Sequence, residues 1–517
     1  MKKEFNITGT CLPHLHYMMD NRAKLAGVMK MIEHGAYFTI NRPRQYGKTT
    51  TMAALNKQLL SDPAYRVIRT SFEGWGEDTF ASEEAFVQAF LGEIKKGMAM
   101  HEFADRLAAY PHPVSRLRQL SALISELVTQ TPAKLVLLID EVDKSSNHVI
   151  FLDFLGMLRS KYLLRMEEAD ATFHSVVLAG VHDIKSLKLR VRSDDTAQYN
   201  SPWNIAADFK VEMSFAPHEI APMLVEYSQA EGVEIDVDWF ADKLYYYTSG
   251  YPFLVSKLCK TIAEDLLPHK TERRWTSDDL EEAVRMLLRE NNTLFDSLIK
   301  NLENNADLYQ LAYRIIIDGD SISFNPHEPT ISLGRLYGVF KDNGTLKIHN
   351  RIYEQLLYAY MSVKTEVGMA ALPSYGGHFQ TPQGLDLEAV LLKFQAFMRA
   401  EHSDKDAGFL ERNGRLVFLA FLNPIINGHG HAFKEVQISE ERRLDVVLTY
   451  RQHRYIIELK RWYGESYHQR GLDQLADYLD RQGVGEGYLL IFEDKKEKTQ
   501  RQAWIEHRGK RVFAVWV

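Results

Sequence analysis

Short apolar runs alternate with longer segments of helical periodicity over the first 180 residues of the chain. Four such runs occupy residues 37–40, 65–72, 135–139 and 175–180. Runs of this length and composition predict strands buried on both faces, as in a parallel sheet. Apolar side chains at helical spacing in the intervening segments, for example over residues 21–34, predict helices. The pattern therefore predicts an α/β fold with a parallel sheet.

Beyond residue 215 the pattern changes three times. Helical periodicity over residues 218–267 predicts a helical lid, and later helices followed by an alternating strand predict a winged-helix-like module. A stretch rich in proline, glycine and serine then predicts a linker, after which apolar strands return. The expected domains are an α/β core at 1–215, the lid at 216–300, the winged-helix-like module at 301–361, the linker at 362–384 and a second α/β domain at 385–517.

The first candidate site is the sequence Gly47-Lys48-Thr49, which follows the first predicted strand and begins the next predicted helix. Strand, tight loop and helix in this order are typical of a phosphate-binding loop, because backbone N–H groups and the helix dipole attract an anion. Gly47 lets the backbone approach the phosphates. We expect Lys48 to reach the β- and γ-phosphates and the Thr49 hydroxyl to hold Mg²⁺. Arg42 stands where the usual pattern has its first glycine.

A pair of acids at the end of the third apolar run completes this candidate site. Asp140 and Glu141 follow the run directly, so they emerge at the carboxyl end of a predicted parallel strand. Ligands bind at that edge of parallel α/β sheets. We expect Asp140 to orient Mg²⁺ and Glu141 to polarise the attacking water. The alternative, a core strand that happens to end in acids, does not explain the upstream Gly47-Lys48-Thr49.

Composition narrows the class of protein. The chain has 517 residues, 45% hydrophobic and 25% charged, which is typical of a globular protein with several domains. The net charge of −7 gives no global attraction for nucleic acid, so such a surface would have to be a local basic patch. Two cysteines, Cys11 and Cys259, predict no disulfide framework. No long apolar run or signal peptide is evident, so we expect no membrane association and a cytoplasmic location.

Several of these segments together resemble the bacterial AAA-like ATPases related to the archaeal and STAND ATPases, which similarly have Arg-Pro-Arg in place of the first loop glycine. The motifs that carry the resemblance are residues 17–20, Arg42-Pro43-Arg44-Gln45-Tyr46-Gly47-Lys48-Thr49, the strand before Glu141, residues 201–206 and residues 250–253. The resemblance covers roughly the first half of the chain, and it implies ATP and Mg²⁺ as cofactors. The cofactor-binding residues that it implies are Arg42, Gln45, Tyr46, Gly47, Lys48, Thr49, Thr50 and Asp140, with Thr49 and Asp140 at the metal.

Residues after the fourth strand leave two roles open. His182 or Asp183 is a candidate sensor of the γ-phosphate, and the alternative is a loop residue without a catalytic role. Arg190 or Arg192 is a candidate arginine finger for a neighbouring subunit, and the alternative is a solvated side chain. Assembly into a homo-oligomer is therefore also left open.

A second candidate site lies in a predicted β-meander near the carboxyl end. Glu458 and Lys460 are two residues apart on one strand, so both side chains leave the same face. If this strand pairs with the preceding one, Asp445 lies close to Glu458. We expect the two carboxylates to bind a divalent metal ion and Lys460 to stabilise the nucleophile or the charge developing on phosphate. The alternative is an exposed face of alternating charge, but two isoleucines before Glu458 favour a strand buried on both sides.

Asp445 followed by Glu458-x-Lys460 resembles the PD-(D/E)xK nuclease superfamily, and Gln474-Leu-Ala-Asp-Tyr478 resembles the Gln-x-x-x-Tyr motif of its RecB-like branch. The resemblance implies a restriction-endonuclease-like α/β domain with DNA as its partner. The catalytic residues that it implies are Asp445, Glu458, Lys460 and Gln474, with Mg²⁺ or Mn²⁺ at Asp445 and Glu458. A further acid remains open among Glu388, Glu401, Glu411 and Glu435.

These observations predict an ATPase that controls a metal-dependent nuclease acting on DNA, either an endonuclease or an exonuclease. By analogy alone, bacterial defence against foreign DNA is a fitting role. The first alternative is a signalling ATPase whose C-terminal domain binds nucleic acid without cleaving it. The second is a scaffold in which neither site is active.

Overall fold

The computed structural model describes most of the chain, with gaps that are longest in the C-terminal third. The described residues are 2–97, 114–145, 148–180, 203, 205–318, 320–368, 379–381, 384–400, 414, 417–419, 421–422, 425–426, 430–433, 446–450, 453–462, 464–481, 483–493 and 501–517. The chain divides into two compact units, the first made of Met1–Tyr309 with Ile322–Tyr353 and the second of Gln310–Ser321 with Glu354–Val517. Each unit is described below by itself.

The first unit is built on a four-stranded parallel sheet, as the apolar runs predict. Its strands are β1 (Tyr37–Asn41), β2 (Tyr65–Ser71), β3 (Lys134–Asp140) and β4 (Ser175–Gly180), in the order β1-β4-β3-β2. The flanking helices are α1 (Arg22–Glu33), α2 (Lys48–Leu60), α3 (Glu83–Gly97), α4 (Leu117–Gln130) and α5 (Val149–Met166). Apolar cores lie on both faces of the sheet, which explains why its strands show continuous apolar runs and no alternation.

The outer edge of β1 is covered by the chain that leads out of the sheet. Ala207 forms a parallel bridge with Phe38, and its N–H donates to the Tyr37 carbonyl over 2.8 Å. Trp203 is fully buried beside this edge, and its indole N–H donates to the Thr39 hydroxyl over 3.1 Å. These contacts satisfy groups that an exposed sheet edge would leave unpaired.

Helices, which we call the lid, follow the sheet, as the helical periodicity over residues 218–267 predicts. They are α6 (Pro217–Glu231), α7 (Val237–Thr248), α8 (Pro252–Lys260), α9 (Ser277–Arg289) and α10 (Thr293–Glu303). The break between α7 and α8 falls at Gly250, whose φ is +70°. A Cβ there would lie 2.1 Å from the Phe215 carbonyl oxygen, and the Gly250 carbonyl accepts from the Phe215 N–H over 2.9 Å. Glycine is required at this position for both reasons.

A small helix–hairpin module, residues 322–353, closes the first unit. It consists of α12 (Pro329–Leu336), β5 (Phe340–Asp342), β6 (Leu346–Ile348) and the first residues of α13 (Arg351–Gly368), and it follows α11 (Ala306–Tyr313). The two strands pair antiparallel, and an additional antiparallel bridge joins Ser323 to Thr345. This arrangement of helices and a β-hairpin corresponds to the elements expected between residues 301 and 361.

The segment expected to be a linker carries secondary structure at both ends. Helix α13 continues to Gly368, and the Ser362 hydroxyl donates to the Tyr358 carbonyl over 2.8 Å within it. At the other end, β7 (Gln380–Thr381) pairs with β8 (Gly384–Leu385). The boundary between the two units falls inside α13, between Tyr353 and Glu354. Composition alone did not predict that α13 extends into this segment, because a helix can continue through residues that show no apolar periodicity.

The second unit contains a six-stranded mixed sheet. Its strands are β9 (Gly430–Phe433), β10 (Val446–Tyr450), β11 (His453–Arg461), β12 (Glu486–Phe492), β13 (Gln502–His507) and β14 (Lys510–Trp516), in the order β13-β14-β12-β11-β10-β9. Strands β11, β12 and β14 run parallel, and the outer pairs are antiparallel. Strand β9 ends at Phe433, and the residues that follow it, up to 445, lie outside the described part.

Helices cover both faces of this sheet. Helix α14 (Leu387–Ala400) and helical residues between 414 and 426 pack on one face, and α15 (Glu465–Arg481) packs on the other. The segment 414–421 was predicted as helical or extended, and its described residues are helical. Ile457 and Leu459 of β11 face α14, whereas Ile456 faces α15. Because side chains alternate along a strand, Glu458 and Lys460 lie on the α15 face.

Gly250→Ala should strongly destabilise the first unit, because the new Cβ meets the Phe215 backbone in addition to forcing a positive φ. We expect a loss of roughly 3 kcal/mol or more in the free energy of unfolding. Gly232→Ala is the matched control, since its φ is +61° and a Cβ there has no atom within 4 Å. That variant should lose only about 1 kcal/mol. Equal losses in urea unfolding would show that the contact with Phe215 has no energetic weight.

Candidate functional site

The loop between β1 and α2 has the backbone geometry of an anion-binding turn. Gln45 and Gly47 adopt φ values of +55° and +78°, and Gly47 is the residue before the first turn of α2. The Thr51 N–H and hydroxyl both donate to the Gly47 carbonyl over 2.9 Å, so the helix begins immediately after the loop. The N-terminus of α2 therefore directs its free N–H groups and its positive dipole end at the space beside the loop.

The Lys48 ammonium is folded back under the loop. Its Nζ donates to the carbonyl oxygens of Arg42 and Pro43, each over 2.9 Å, and the residue is only 6% exposed. Burial lowers the pKa of Lys48, and the nearby carboxylates of Asp143, Glu141 and Asp140 oppose that shift. The first helical residue is thus a desolvated cation beside three acids, which is the charge distribution that a polyphosphate site requires.

The acids come from the end of β3 and the turn that follows it. Asp140 is 2% exposed, and its Oδ1 accepts from the Glu141 N–H over 3.0 Å. Burial raises the pKa of the Glu141 carboxyl, the Lys48 charge lowers it, and Asp140 and Asp143 raise it further. Glu141 has φ +53°, an uncommon value for a residue with a Cβ. A raised carboxyl pKa next to a buried cation is typical of a group that handles a proton.

Strand β4 lies between the two sequence motifs and brings them to one edge. Its last residue, Gly180, accepts a hydrogen bond from the Arg42 N–H over 3.2 Å. A Cβ on Gly180 would lie 2.9 Å from Asp143 Oδ1, so the absence of a side chain lets this acid approach the sheet. Sequence reasoning assigned no role to Asp143, although it stands in the same acidic stretch as Asp140 and Glu141.

The side chains of three residues predicted to bind the cofactor make contacts with other groups of the protein. The Arg42 guanidinium donates to the Asn41 and Val211 carbonyls over 2.7 and 2.8 Å and lies 5.2 Å from the Phe209 ring centre. The Thr50 hydroxyl accepts from the Cys11 N–H over 3.1 Å. Tyr46 is 3% exposed, and its hydroxyl lies 2.9 Å from Ser214 Oγ. Thr49, at the start of α2, is half-buried.

A cavity of about 360 Å³ opens directly beside the loop. Its walls come from the N-terminal segment, from the loop with the start of α2, and from the start of α8. Those of its lining residues that bear on the site are Thr8, Cys11, Tyr17, Gln45, Gly47, Thr50, Met213, Phe215, Pro252 and Phe253. A mostly apolar cavity of this size next to an anion-binding loop fits a heterocyclic base attached to a phosphate chain.

The N-terminal wall of this cavity is anchored to the lid. Phe5 and Tyr17 pack with ring centres 5.1 Å apart, and both contact Tyr227 of α6. Lys24 of α1 is buried and binds the Glu219 carboxylate of α6 over 2.6 Å. Tyr17, which begins the motif at residues 17–20, thus packs in an aromatic cluster and also lines the cavity. Thr8, Cys11, Met213 and Phe215 belong to none of the sequence motifs, so sequence reasoning missed them.

The second predicted site is partly described. Glu458 is fully buried, its Oε1 lies 2.7 Å from Lys460 Nζ, and Lys460 Nζ donates to Gln474 Oε1 over 3.1 Å. Both residues of β11 thus face α15, and Gly471 of that helix lies against the Lys460 stem. The other residue of the helical motif, Tyr478, is buried. The structure therefore brings together Glu458, Lys460 and Gln474.

Several candidates lie outside the described residues. They are His182, Asp183, Arg190, Arg192, Glu401, Glu411, Glu435 and Asp445. Glu388 is described and is half-buried in the first turn of α14. Within the described part of the chain, no group of three or more His, Cys, Asp or Glu side chains is arranged to hold a metal ion. No described helix is long and apolar enough to cross a membrane.

A parallel sheet with a Gly-Lys-Thr loop and buried acids at one edge defines the class of P-loop ATPase folds. The profile of the AAA-like domain family matches residues 14–358. Since that match spans more than half of the chain, the protein belongs to the AAA-like domain family. This confirms the family resemblance of the first half of the sequence.

Individual relatives are distant. An uncharacterized WD repeat-containing protein of Synechocystis is 23% identical over 403 residues, which cover 72% of this chain and 31% of that protein. The chain thus spans less than a third of that relative's length. Among solved structures, the ORC2 protein of Aeropyrum pernix has a TM-score of 0.37 and 13% identity, covering 71% of this chain and 98% of that one. Cdc6p of Pyrobaculum aerophilum has a TM-score of 0.33 and 14% identity, with the same coverage of 71% and 98%.

The raised pKa of Glu141 predicts a pH-dependent stability. A carboxyl whose pKa is higher in the folded state than in the unfolded state destabilises the fold once the pH exceeds both values. Glu141→Gln should therefore raise the melting temperature at pH 7 to 8, and the gain should disappear as the pH falls below the ordinary carboxyl range. Glu281→Gln, at an exposed position of α9, is the control and should show no such trend. A gain that is independent of pH would contradict the assigned cause.

Proposed function

We propose that the first unit binds and hydrolyses ATP and that it controls a metal-dependent nuclease in the second unit. The observation that carries the first part is the convergence of Lys48, Asp140 and Glu141 at one edge of a parallel sheet, beside the cavity of about 360 Å³. The cavity accommodates the base, and the N–H groups of the loop and α2 bind the phosphates. Lys48 leaves the two carbonyls that it now binds and contacts the β- and γ-phosphate oxygens.

The residues at this edge also suit Mg²⁺, which prefers oxygen ligands. The Thr49 hydroxyl and the buried Asp140 carboxylate would hold the ion, which supplies neutralisation of phosphate charge when bound. Glu141 then accepts a hydrogen bond from the attacking water. Its raised pKa suits a base that takes up the proton during hydrolysis and releases it afterwards.

ATP binding and turnover test this assignment through two variants with different consequences. Lys48→Ala should weaken ATP binding at least about ten-fold, because it removes a charged donor to the phosphates. Glu141→Gln should bind ATP almost as wild type does but hydrolyse it roughly 10²- to 10⁴-fold more slowly. Calorimetry and phosphate release measure the two effects. Lys57→Ala, an exposed change in the last turn of the same helix, is the control. Wild-type affinity and turnover in both variants would refute the assignment.

The nuclease proposal rests on the cluster of the fully buried Glu458 with the half-buried Lys460 and Gln474. Burying a carboxylate and an ammonium on one strand is costly unless they are paired or functional. The last described pair of β10 and β11 is Val446 opposite Ile457. Asp445 precedes Val446 and Glu458 follows Ile457 in the sequence. We propose that Asp445 and Glu458 hold Mg²⁺ or Mn²⁺, which activates water when bound, and that Lys460 stabilises charge on the scissile phosphate of DNA.

Gln474 has a supporting role in this proposal. Its side-chain oxygen accepts a hydrogen bond from Lys460, so it orients the ammonium. A specific observation favours the rival in which this unit binds nucleic acid without cleaving it: the Lys460 ammonium is already engaged by both Glu458 and Gln474. We further propose that nucleotide-dependent rearrangement of the first unit controls the second. Location in the bacterial cytoplasm and a role in defence against foreign DNA are part of the proposal by analogy only.

A DNA cleavage assay with Mg²⁺ or Mn²⁺ distinguishes the nuclease hypothesis from the hypothesis of binding without cleavage. Asp445→Ala, Glu458→Ala and Lys460→Ala should each lower cleavage by roughly 10²-fold or more, because they remove metal ligands or charge stabilisation. ATP turnover should persist in all three variants. Lys460→Ala should lower the rate of DNA cleavage more than it lowers the affinity for DNA. Gln474→Ala should be milder. Cleavage of single- and double-stranded DNA and RNA, each measured with and without ATP, identifies the substrate.

Asp480→Asn is the control for this series, because Asp480 lies on α15 but binds Lys510 at the far end of that helix. If the wild type binds nucleic acid without cutting it, the binding-only function is correct. If the three variants cleave like wild type, the activity lies elsewhere. A large fall in melting temperature in all three would identify Glu458 and Lys460 as a structural ion pair.

A further inference from the structure

Three aromatic side chains meet at the phosphate-binding loop: Tyr46, which belongs to the loop itself, Tyr251 and His349. The Tyr251 hydroxyl donates a short hydrogen bond to the Arg44 carbonyl. The Tyr46 hydroxyl lies 2.9 Å from Ser214 Oγ and 3.2 Å from His349 Nε2. The Tyr46 and Tyr251 rings meet edge to face with their centres 4.5 Å apart. Tyr251 follows the break between α7 and α8, and His349 belongs to the helix–hairpin module, so two distant elements contact this loop.

The available protons determine which group donates and which accepts in the hydrogen bonds of the Tyr46 hydroxyl. Ser214 Oγ lies 2.6 Å from Glu212 Oε1, and an ionised carboxylate only accepts, so the serine proton points at Glu212. Burial alone would raise the pKa of Glu212, but the hydrogen bonds from Ser214 and the charge of Arg42 lower it. Ser214 Oγ must then accept the Tyr46 proton. The Tyr46 oxygen consequently accepts from His349, which requires a proton on Nε2.

The other side of the imidazole agrees with this assignment. Asn350 Oδ1 accepts from the Tyr353 N–H over 2.8 Å, which leaves the Asn350 amide nitrogen to face His349 Nδ1 at 3.4 Å. Nδ1 therefore accepts and carries no proton. Burial, together with the smaller effect of the Lys341 charge, lowers the pKa of His349 to about 4, so this imidazole is neutral. The donors run in one direction, from His349 through Tyr46 and Ser214 to Glu212.

The Tyr251 contact orients a peptide group of the loop. In a trans peptide the C=O and N–H bonds point in opposite directions. A donor on the Arg44 carbonyl therefore turns the Gln45 N–H away from Tyr251. Tyr251 is fully buried, whereas Gln45 lines the cavity beside the loop. Tyr251 thus holds this N–H in the orientation in which it can meet an anion.

Gly338 and Lys341 of the helix–hairpin module make further contacts with the rest of the unit. Gly338 packs against Pro43, since a Cβ on Gly338 would lie 2.6 Å from Pro43 Cγ. Lys341 Nζ donates to the Ser249 hydroxyl over 2.8 Å. A cleft of about 1440 Å³ lies beside these contacts, lined by residues of the sheet edge and of the module. The module therefore contacts both the loop, at Pro43, and the residue after α7, Ser249.

We propose that Tyr46, Tyr251 and His349 are positioning residues through which docking of the helix–hairpin module and nucleotide binding at the loop are thermodynamically linked. The inference rests on the proposed ATP binding by the first unit. A docked module holds the loop in its anion-binding conformation, so it raises nucleotide affinity. By reciprocity, a bound nucleotide stabilises the docked module by the same factor.

The experiment compares His349→Phe, which keeps the ring but loses the donor, with His349→Gln, which restores an N–H. ATP affinity is measured by calorimetry, and amide hydrogen exchange of β5 and β6 is measured with and without ATP. In wild type, ATP should slow exchange in both strands. His349→Phe and Tyr46→Phe should bind ATP about five-fold more weakly and lose most of that slowing. His349→Gln should recover both. Tyr251→Phe should weaken ATP binding by a similar factor.

Tyr246→Phe, on the exposed face of α7, is the control and should behave as wild type. A lower melting temperature alone does not satisfy the proposal, because a purely structural contact would leave the effect of ATP on exchange unchanged. If His349→Phe keeps wild-type affinity and the full slowing of exchange by ATP, the linkage is refuted while ATP binding stands. If the wild type binds no ATP, or Lys48→Ala binds it equally well, the proposed function fails and this inference falls with it.

Discussion

The desolvated charge of Lys48 is the constraint on which the first unit depends. A buried ammonium is costly unless other groups replace its water. Here the carbonyls of Arg42 and Pro43 bind it, and the acids after β3 compensate its charge. These groups meet only if the loop curls back over its own helix and if two strands end at the same edge. The parallel order of the sheet, with β4 between β1 and β3, provides that edge.

The curled loop in turn needs support from outside the sheet. Positive φ values at Gln45 and Gly47 keep its backbone out of regular helix or strand. The N-terminal segment binds the start of α2 through Cys11, the lid binds the loop through Tyr251, and the helix–hairpin module reaches it at Tyr46. The cavity beside the loop is a consequence of the same support, because its walls are these segments. A change in any of these three segments is therefore expected to alter the loop proposed to bind phosphate, even if the changed residue itself contacts no ligand.

The second unit solves a similar problem in a different sheet. Glu458 is fully buried on a strand whose neighbours are apolar, and it is paired with Lys460 two residues later. A helix covers that face closely, since Gly471 leaves room for the Lys460 stem and Gln474 accepts from its ammonium. Polar groups enclosed in this way are rigid, because each has few alternative partners. Rigid placement suits a catalytic cluster and equally suits a specific ion pair, so only activity separates the two.

Much of this could be predicted from the sequence because it depends on short-range rules. Apolar runs require strands buried on both faces, as in β3, and alternation along β11 puts Glu458 and Lys460 on one face. The spacing of Gly47, Lys48 and Thr49 between a strand and a helix is likewise local. The full length of α13 could not be predicted from the sequence, because the polar residues at its end do not contribute to hydrophobic periodicity.

The tertiary structure alone decided what surrounds these motifs. The cavity walls, the approach of Asp143 to Gly180 and the contact between Tyr46 and His349 join residues that are far apart in the chain. Tyrosine, histidine and glycine at those positions have ordinary alternatives in a core or a turn, so residue type carries no signal of the partner. Local patterns encode which face of an element is buried. The partner across a buried contact is set by the packing of the whole unit, because buried polar groups on different elements must pair with one another.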